Sequence, residues 1–249
     1  MTASQLCLRA VIRLSPRVDS GEDVAAFLQG LVTSDVQQAL PVWTALLSPQ
    51  GKALFDFFVW PGENGALLLD CEAEVGEAIV KRLSLYRLRR AIDIAIDPTL
   101  TVHWSQDPQE NASPDPRLES LGWRWLAPAA PSAECADQAY LAHRLGLGVT
   151  EGRQDLGQDA TLWLECNAVE LRGVSFTKGC YVGQENTARM NWRQKVNRRL
   201  IVVPLAQSDP KRQRTTYPEL GFAIDHRRIE DITPELRPAW LDLDPTTSA

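Results

Sequence analysis

The chain has 249 residues, 44% of them hydrophobic, so it can bury a sizeable core without needing a disulfide or metal framework. Its net charge of -6 at pH 7 excludes the overall cationic field through which many proteins bind nucleic acid. No apolar run approaches the roughly 20 residues of a membrane-spanning helix, so we expect no membrane partner.

The first hundred residues predict an α+β module. Apolar residues alternate from Leu8 to Leu14, as in a strand, and Ser20 is placed to cap a helix over residues 22–31. Three β-rich runs separated by Pro- and Gly-containing turns predict an antiparallel meander, over residues 42–47, 53–60 and 66–70. A helix over residues 74–87 and a strand over residues 92–96 complete the module.

The rest of the chain predicts a second α+β module and a short third one. Trp123 and Trp125 alternate in a strand, a helix covers residues 133–145, and prolines interrupt most of the chain after Leu205. The predicted organisation is an α+β module with a helix and a meander (1–104), a polar loop (105–117), a second α+β module (118–197) and a degenerate C-terminal β module (198–249).

The segment that carries most chemistry is Lys178-Gly179-Cys180-Tyr181-Val182-Gly183-Gln184-Glu185. Its two glycines allow a tight turn and close approach to a ligand, and a lysine charge near a thiol favours the thiolate. Gln184 and Glu185 add hydrogen-bonding groups. The pattern predicts a reactive Cys180 that Lys178 tunes. Its alternative is a plain turn with a small buried thiol.

The five cysteines are scattered along the chain, and they form no CxxC pair and have no histidine at metal-finger spacing. They are Cys7, Cys71, Cys135, Cys166 and Cys180. This distribution predicts a reducing compartment, no disulfide framework, no metal site and no stably owned iron-sulfur cluster. We expect a monomer in the bacterial cytoplasm. The mitochondrial matrix is the alternative, because the N-terminal segment contains three arginines, and arginine-rich N-termini are typical of mitochondrial presequences.

A basic stretch follows the cysteine segment. It contains one acid, Glu185, and six basic residues, Lys178, Arg189, Arg193, Lys195, Arg198 and Arg199. We expect an anionic ligand at Arg189–Arg199, such as a polyglutamate tail, a phosphate or an RNA backbone. The alternative is a solvated helix face.

The octapeptide around Cys180 resembles the signature of the YgfZ-type folate-binding proteins, relatives of the glycine-cleavage T-protein. Residues 27–36, the hairpin Leu47–Lys52 followed by Asp56, and Glu165-Cys166-Asn167 are similar to further family segments. The resemblance implies an α+β, GcvT-like aminomethyltransferase fold. In that fold, interleaved α+β modules surround a central folate-type pocket, and here the C-terminal β module would be truncated.

The resemblance also implies a function. The chain would be an accessory factor for iron-sulfur cluster assembly or repair that binds tetrahydrofolate and affects cluster-dependent enzymes such as tRNA-modifying enzymes. Its partners would be iron-sulfur carrier or client proteins. Cys180 and Lys178 would carry the chemistry, and the loop would be shaped by Gly179, Tyr181, Gly183, Gln184 and Glu185. The residues implied for folate are Asp35, Asp56, Tyr140, Glu165, Asn167 and Arg189.

Two departures from the transferase relatives bear on catalysis. Those relatives carry Arg-x-Glu where this chain has Arg144-Leu145-Gly146, and an Asp pair where Phe55 precedes a single Asp56. Half of the carboxylate set that holds the pterin and polarises the amine is therefore missing. An assembly factor is favoured over an aminomethyltransferase, with a one-carbon transferase and a non-catalytic partner-binding scaffold as alternatives.

Overall fold

The computed structural model describes residues 4–129, 134–192 and 196–243. A five-stranded antiparallel sheet with the order β2-β3-β4-β1-β5 dominates the first part of the chain. Its strands are β1 (Arg9–Pro16), β2 (Val42–Leu47), β3 (Ala53–Pro61), β4 (Leu67–Glu72) and β5 (Ile92–Ile96). The predicted meander is therefore β2-β3-β4, extended to five strands by the segments before and after it.

Both faces of this sheet are buried. Successive side chains of a strand point to opposite faces, and these strands carry apolar residues on both faces. On one face, α1 (Val24–Gln29) and α2 (Gly76–Arg87) pack against Ile12, Leu14 and their neighbours. On the other face, Val11 and Phe58 join a second core that extends as far as Ile224, and a third, smaller core lies within residues 201–241. α1 is shorter than predicted, and its cap is Asp23 rather than Ser20, since the Asp23 carboxylate accepts the Ala26 N–H at 2.9 Å.

Two smaller antiparallel sheets follow. β6 (Leu100–Ser105), β7 (Ser113–Pro114) and β8 (Trp123–Pro128) have the order β6-β8-β7, so residues 105–117 join strands of one sheet. β9 (Arg198–Pro204), β10 (Gln213–Tyr217) and β11 (Phe222–Arg228) have the order β10-β11-β9. These three strands form a short C-terminal β module, as the sequence predicts. The helices between the sheets are α3 (Asp137–Gly146), α4 (Gly152–Leu156) and α5 (Gln184–Trp192).

The predicted absence of a disulfide is wrong. Cys7 and Cys135 are bonded, with their Cα atoms 5.6 Å apart. The fold brings them together because Gln5 pairs with Cys135 and the Asp137 carboxylate accepts the N–H groups of Cys7 and Leu8. Their separation of 128 residues hid the pair from the sequence. No helix within the described residues is long and apolar enough to cross a membrane.

Candidate functional site

The segment before Cys180 is fixed to the first module at three points. Gly173 packs so closely that a Cβ there would lie 2.6 Å from the Trp43 ring, and the Gly173 carbonyl accepts the Trp163 indole N–H at 2.9 Å. The Ser175 N–H then donates to the Thr33 carbonyl at 2.9 Å. The third point is Lys178, whose ammonium group donates to backbone carbonyls of the turn after α1.

The segment after Cys180 is fixed to the β2–β3 hairpin. Gly183 has a φ of +85°, and a Cβ there would lie 2.6 Å from the Ser48 carbonyl oxygen, so only glycine fits this position. Gln184 begins α5, in which the Asn186 amide donates to the Gln50 carbonyl at 2.7 Å. The hairpin that the sequence analysis singled out therefore serves as a platform for the cysteine loop.

Cys180 lies exposed between these two anchor regions. The other free cysteines, Cys71 and Cys166, are buried, and burial raises their pKa values. A Cβ on Gly179 would meet open space, so the surface beside the thiol is clear. The side chains on either side of this exposed pair, Lys178 and Tyr181, are buried. Cys180 is thus an accessible thiol on a loop held at both ends, which suits it to contact a ligand or a partner.

Lys178 has a structural part in this loop. Its Nζ donates to the Val32 carbonyl at 2.5 Å and to the Ser34 carbonyl at 3.0 Å, and it lies 5.1 Å from the centre of the Tyr181 ring. Burial lowers the pKa of Lys178 to about 8, against an opposing effect of Asp35. The amine is therefore directed into the fold as an anchor, and tuning of Cys180 by Lys178 stays a prediction.

Replacing Lys178 by Met should separate anchoring from tuning. The change leaves the carbonyls of Val32 and Ser34 without a donor, which costs about 1–3 kcal/mol. We expect faster amide hydrogen exchange in residues 175–183, measured by mass spectrometry, together with altered alkylation of Cys180 by iodoacetamide. Slower alkylation with unchanged exchange would instead show that Lys178 acts on the thiol alone.

An aromatic side chain extends the exposed surface near Cys180. Trp192, at the end of α5, is 74% exposed, and its ring meets the edge of Phe176 with centroids 6.4 Å apart. Phe176 belongs to the cysteine loop, so α5 and the loop form one surface. Arg189 and Glu185 lie on α5 as an exposed pair 3.6 Å apart.

Only some of the basic residues predicted to bind an anionic ligand are accessible among the described residues. The Arg199 guanidinium is buried against Glu170 at 2.8 Å and the Leu164 carbonyl at 2.6 Å, and is thereby occupied by the fold. Arg189 is exposed and Arg198 is half-buried. Arg193 and Lys195 lie outside the described residues. An anionic ligand at this stretch stays a prediction.

The residues implied for tetrahydrofolate are spread over several places in the described structure. The Glu165 carboxylate lies 3.2 Å from His226 Nε2, and the Asn167 amide donates to the Leu200 carbonyl at 2.8 Å, so both contact the C-terminal module. Asp35 accepts hydrogen bonds from its own neighbourhood, including Gln29 at 2.9 Å. Arg189 is at the surface.

The other two folate candidates, Tyr140 and Asp56, lie in the core. The Tyr140 hydroxyl donates to Glu151 at 2.6 Å, and the Arg124 guanidinium lies 4.8 Å from its ring centre. Asp56 accepts the Trp43 indole N–H at 3.1 Å and the Gly152 N–H at 3.2 Å. Because the fold already uses these groups, the six residues do not fit tetrahydrofolate as one site, and we derive no chemical step through it.

The buried carboxyl group of Asp56 should make the stability of the fold depend on pH. Burial, followed by the nearby charges of Glu72 and Glu151, raises its pKa from 3.8 to about 7. The folded state therefore binds this proton more tightly than the unfolded state. The resulting stability is present below pH 4 and is lost as the pH rises to about 7.

Asp56→Asn should weaken that pH dependence. A carboxamide oxygen at the Oδ2 position still accepts from Trp43 and Gly152, but no charge forms. Between pH 5 and pH 8 the wild type should lose roughly 2–4 kcal/mol more unfolding free energy than the variant, measured in urea. Equal losses in both proteins would contradict the assignment.

The described structure also contains a buried network of three arginines and three carboxylates that no sequence motif marks. Asp70 accepts from Arg9 and Arg124, both at 2.6 Å, and Glu151 pairs with Arg117 at 2.6 Å and Arg9 at 3.0 Å. Asp115 completes it, 2.8 Å from Arg117. Burial would raise the pKa of Glu151, but Arg117 and Arg9 hold that pKa well below its usual range. The network joins β1, β4, β8 and the start of α4.

Comparison with known proteins places the chain in a family. It is 35% identical over 239 residues to the human mitochondrial iron-sulfur cluster assembly factor IBA57, covering 81% of this chain and 67% of the human protein. The chain belongs to the IBA57 family of iron-sulfur cluster assembly factors. The mouse protein of that name is 33% identical, covering 82% of this chain and 66% of its own length. The Mycosarcoma maydis homologue is 34% identical, covering 73% and 53%.

The fold prediction is confirmed by a solved structure. Glycine cleavage system aminomethyltransferase T from Bartonella henselae superposes with a TM-score of 0.55 over 93% of this chain and 80% of that one, at 10% identity. This shows the aminomethyltransferase fold and nothing about activity. No protein-family model matches the chain.

The comparisons also correct the predicted location. The IBA57 relatives from human, mouse and Mycosarcoma maydis are mitochondrial by name, so the predicted bacterial cytoplasm is wrong. The prediction depended on the scattered cysteines, which indicate a reducing compartment. That feature does not separate the cytoplasm from the mitochondrial matrix.

Proposed function

We propose that this chain acts in iron-sulfur cluster assembly by presenting Cys180 to a cluster held by a partner protein. The observation that carries the proposal is the placement of the thiol. Among the described free cysteines only Cys180 is exposed, and it lies on a loop fixed by Lys178 before it and by Gly183 after it. The role named for the human and mouse relatives, iron-sulfur cluster assembly, supports the class of cargo.

The cluster would be cargo shared with the partner. Within the described residues, one group of three potential metal ligands lies close together, Cys7, Cys135 and Asp137, and its two cysteines are bonded to each other. A thiolate is the ligand that iron-sulfur clusters use, and the remaining ligands must then come from the other protein. In this step the Cys180 sulfur loses its proton to solvent and donates an electron pair to iron, displacing one of the carrier's ligands from that iron; the displaced ligand takes up a proton from solvent, and no oxidation state changes.

The experiment is an anaerobic mixture of the purified chain with a cluster-loaded carrier protein. Size-exclusion chromatography with visible absorbance should show a coloured complex for the wild type and a complex without stable colour for Cys180→Ser. Equal colour in both would remove the thiol from the cluster. The chain would then be a partner-binding scaffold, the alternative in which the loop serves only recognition.

Binding of tetrahydrofolate is a separate proposal, supported by the shared fold and opposed by the occupied groups of Asp56 and Tyr140. Titration calorimetry on the wild type and on Arg189→Gln at two salt concentrations tests it. Arg189 suits the test because its exposed side chain can be changed without disturbing the core. Saturable binding that weakens with salt and in the variant would support a folate ligand at α5, and no binding would exclude folate. An effect on tRNA-modifying enzymes stays a prediction.

A further inference from the structure

A basic patch lies at the C-terminal end of α2. Residues 81–90 contain five cations and no acid, although the whole chain has a net charge of -6. The basic patch consists of Lys81, Arg82, Arg87, Arg89 and Arg90. Such a concentration of cations on an acidic protein gives this end of the molecule a local field opposite to the net charge.

Exposed apolar side chains lie among these cations. Leu85 is 64% exposed and Leu88 is 84% exposed, three residues apart at the end of the helix. Val18 is 91% exposed on the turn that the Arg17 N–H attaches to the Ala91 carbonyl at 2.8 Å. Exposure of leucine and valine side chains to water is unfavourable, so apolar side chains that protrude together indicate an interaction surface.

Leu88 is unusual in its backbone as well. Its φ of +51° with a ψ of -113° places a bulky residue in a backbone conformation that side chains disfavour, which costs on the order of 1–3 kcal/mol. Its side chain recovers none of this cost by burial inside the fold, because it points to solvent. Glycine would adopt this turn more easily, so the leucine side chain is the feature to explain.

Part of the positive charge is available for a ligand. Arg90 is bound to Glu22 at 2.9 Å, and Arg87 donates to the Ile92 carbonyl at 3.1 Å. The side chains of Lys81 and Arg89 make no ion pair or hydrogen bond with any described residue, and Arg89 lines a shallow concavity together with Glu22, Leu88 and Arg90. The concavity therefore offers an open guanidinium beside an exposed leucine.

We propose that this basic patch and its exposed leucines dock on the surface of a bilayer containing anionic phospholipid. The lysine and arginine head groups would neutralise lipid phosphates while Leu85, Leu88 and Val18 enter the boundary between head groups and acyl chains. The apolar residues favour lipid over RNA, because aliphatic side chains can pack against acyl chains but make no favourable contact with a charged phosphate backbone. The expectation of no membrane partner came from the absence of a long apolar run, which excludes spanning and leaves surface binding open.

The position of the patch agrees with a tethering role. It spans the C-terminal half of α2 and the turn before β5, at one edge of the five-stranded sheet, whereas Gly183 and α5 pack on the β2–β3 hairpin at the other edge. Four strand spacings, about 19 Å, separate these edges. Docking through the patch would leave Cys180 free to meet a partner.

Flotation of the purified chain with large unilamellar vesicles tests the proposal. We expect binding to phosphatidylcholine vesicles containing cardiolipin and little binding to phosphatidylcholine alone. Lys81→Gln with Arg89→Gln should weaken the partition coefficient about thirty-fold, since each interfacial cation contributes a factor of about five to six. Leu85→Ser with Leu88→Asn should abolish binding. Circular dichroism confirms the fold of each variant.

The control is Lys211→Gln with Arg228→Gln, which removes the same charge from exposed positions in the C-terminal module. It should bind like the wild type. Equal loss in this control would mean that only net charge matters and would overturn the patch. Equal binding to neutral vesicles, or no binding to either kind, would also overturn the proposal. So would binding of single-stranded RNA without vesicle binding. None of these readouts involves a cluster, so this proposal stands or fails apart from the proposed function.

Discussion

Replacing Cys180 by Ser should abolish the activity of this chain in iron-sulfur cluster assembly while leaving its fold intact. The sulfur is exposed, so its loss removes no packing, and the unfolding free energy should change by no more than about 0.5 kcal/mol. A serine hydroxyl stays protonated at neutral pH and is a poor ligand for cluster iron. The measurement is complementation of cells that lack the factor, read as the activity of a cluster-dependent enzyme, beside thermal unfolding of the purified variant.

A second variant tells a missing sulfur from a disturbed loop. Gly179→Ala adds a methyl group that meets open space at an ordinary φ, so the loop keeps its conformation and its thiol. It should complement cells at least in part, whereas Cys180→Ala should fail as completely as Cys180→Ser. Full complementation by both Cys180 variants would remove the thiol from the mechanism.

The loop was predictable because its information is local. Two glycines, a lysine and a cysteine within eight residues identify a constrained thiol, and the structure adds the reason for each. Gly183 avoids the Ser48 carbonyl, and Lys178 binds the turn after α1. The receiving carbonyls of Val32 and Ser34 carry no side-chain signal, so sequence alone could not name them. The direction of the Lys178 amine, into the fold, was hidden for the same reason.

The strand with Trp123 and Trp125 shows how a local pattern can mislead. Alternating tryptophans suggest that the indoles face the core, yet Arg124 between them is fully buried and the tryptophans are half-buried. The arginine is turned inward because Asp70, 54 residues earlier, accepts its hydrogen bond at 2.6 Å. Charge pairing between residues far apart in the chain therefore overrides the local hydropathy pattern. The Cys7–Cys135 bond was also not predicted, because its two cysteines are far apart in the chain.

Asp70→Asn should be among the most destabilising single substitutions in this chain. The network balances three arginines with three carboxylates, and Asp70, fully buried, serves both Arg9 and Arg124. Removing its charge leaves a buried net positive charge, since Asp115 and Glu151 remain against all three arginines. Breaking a buried ion pair in this way costs about 3–5 kcal/mol, a large share of the 5–15 kcal/mol typical of a folded domain. Urea unfolding measures the loss.

The comparison that identifies the cause is a double variant. Asp70→Asn with Arg124→Met removes one charge of each sign and should recover part of the lost stability, because the penalty comes from the uncompensated cation rather than from the missing bond. Asp93→Asn, which breaks the exposed pair with Arg17, should cost less than about 1 kcal/mol. If Asp70→Asn costs no more than Asp93→Asn, the network contributes little. The contact between the first sheet and β8 would then depend on the aromatic and aliphatic core around Phe58, whose ring lies 4.3 Å from the Arg124 guanidinium carbon.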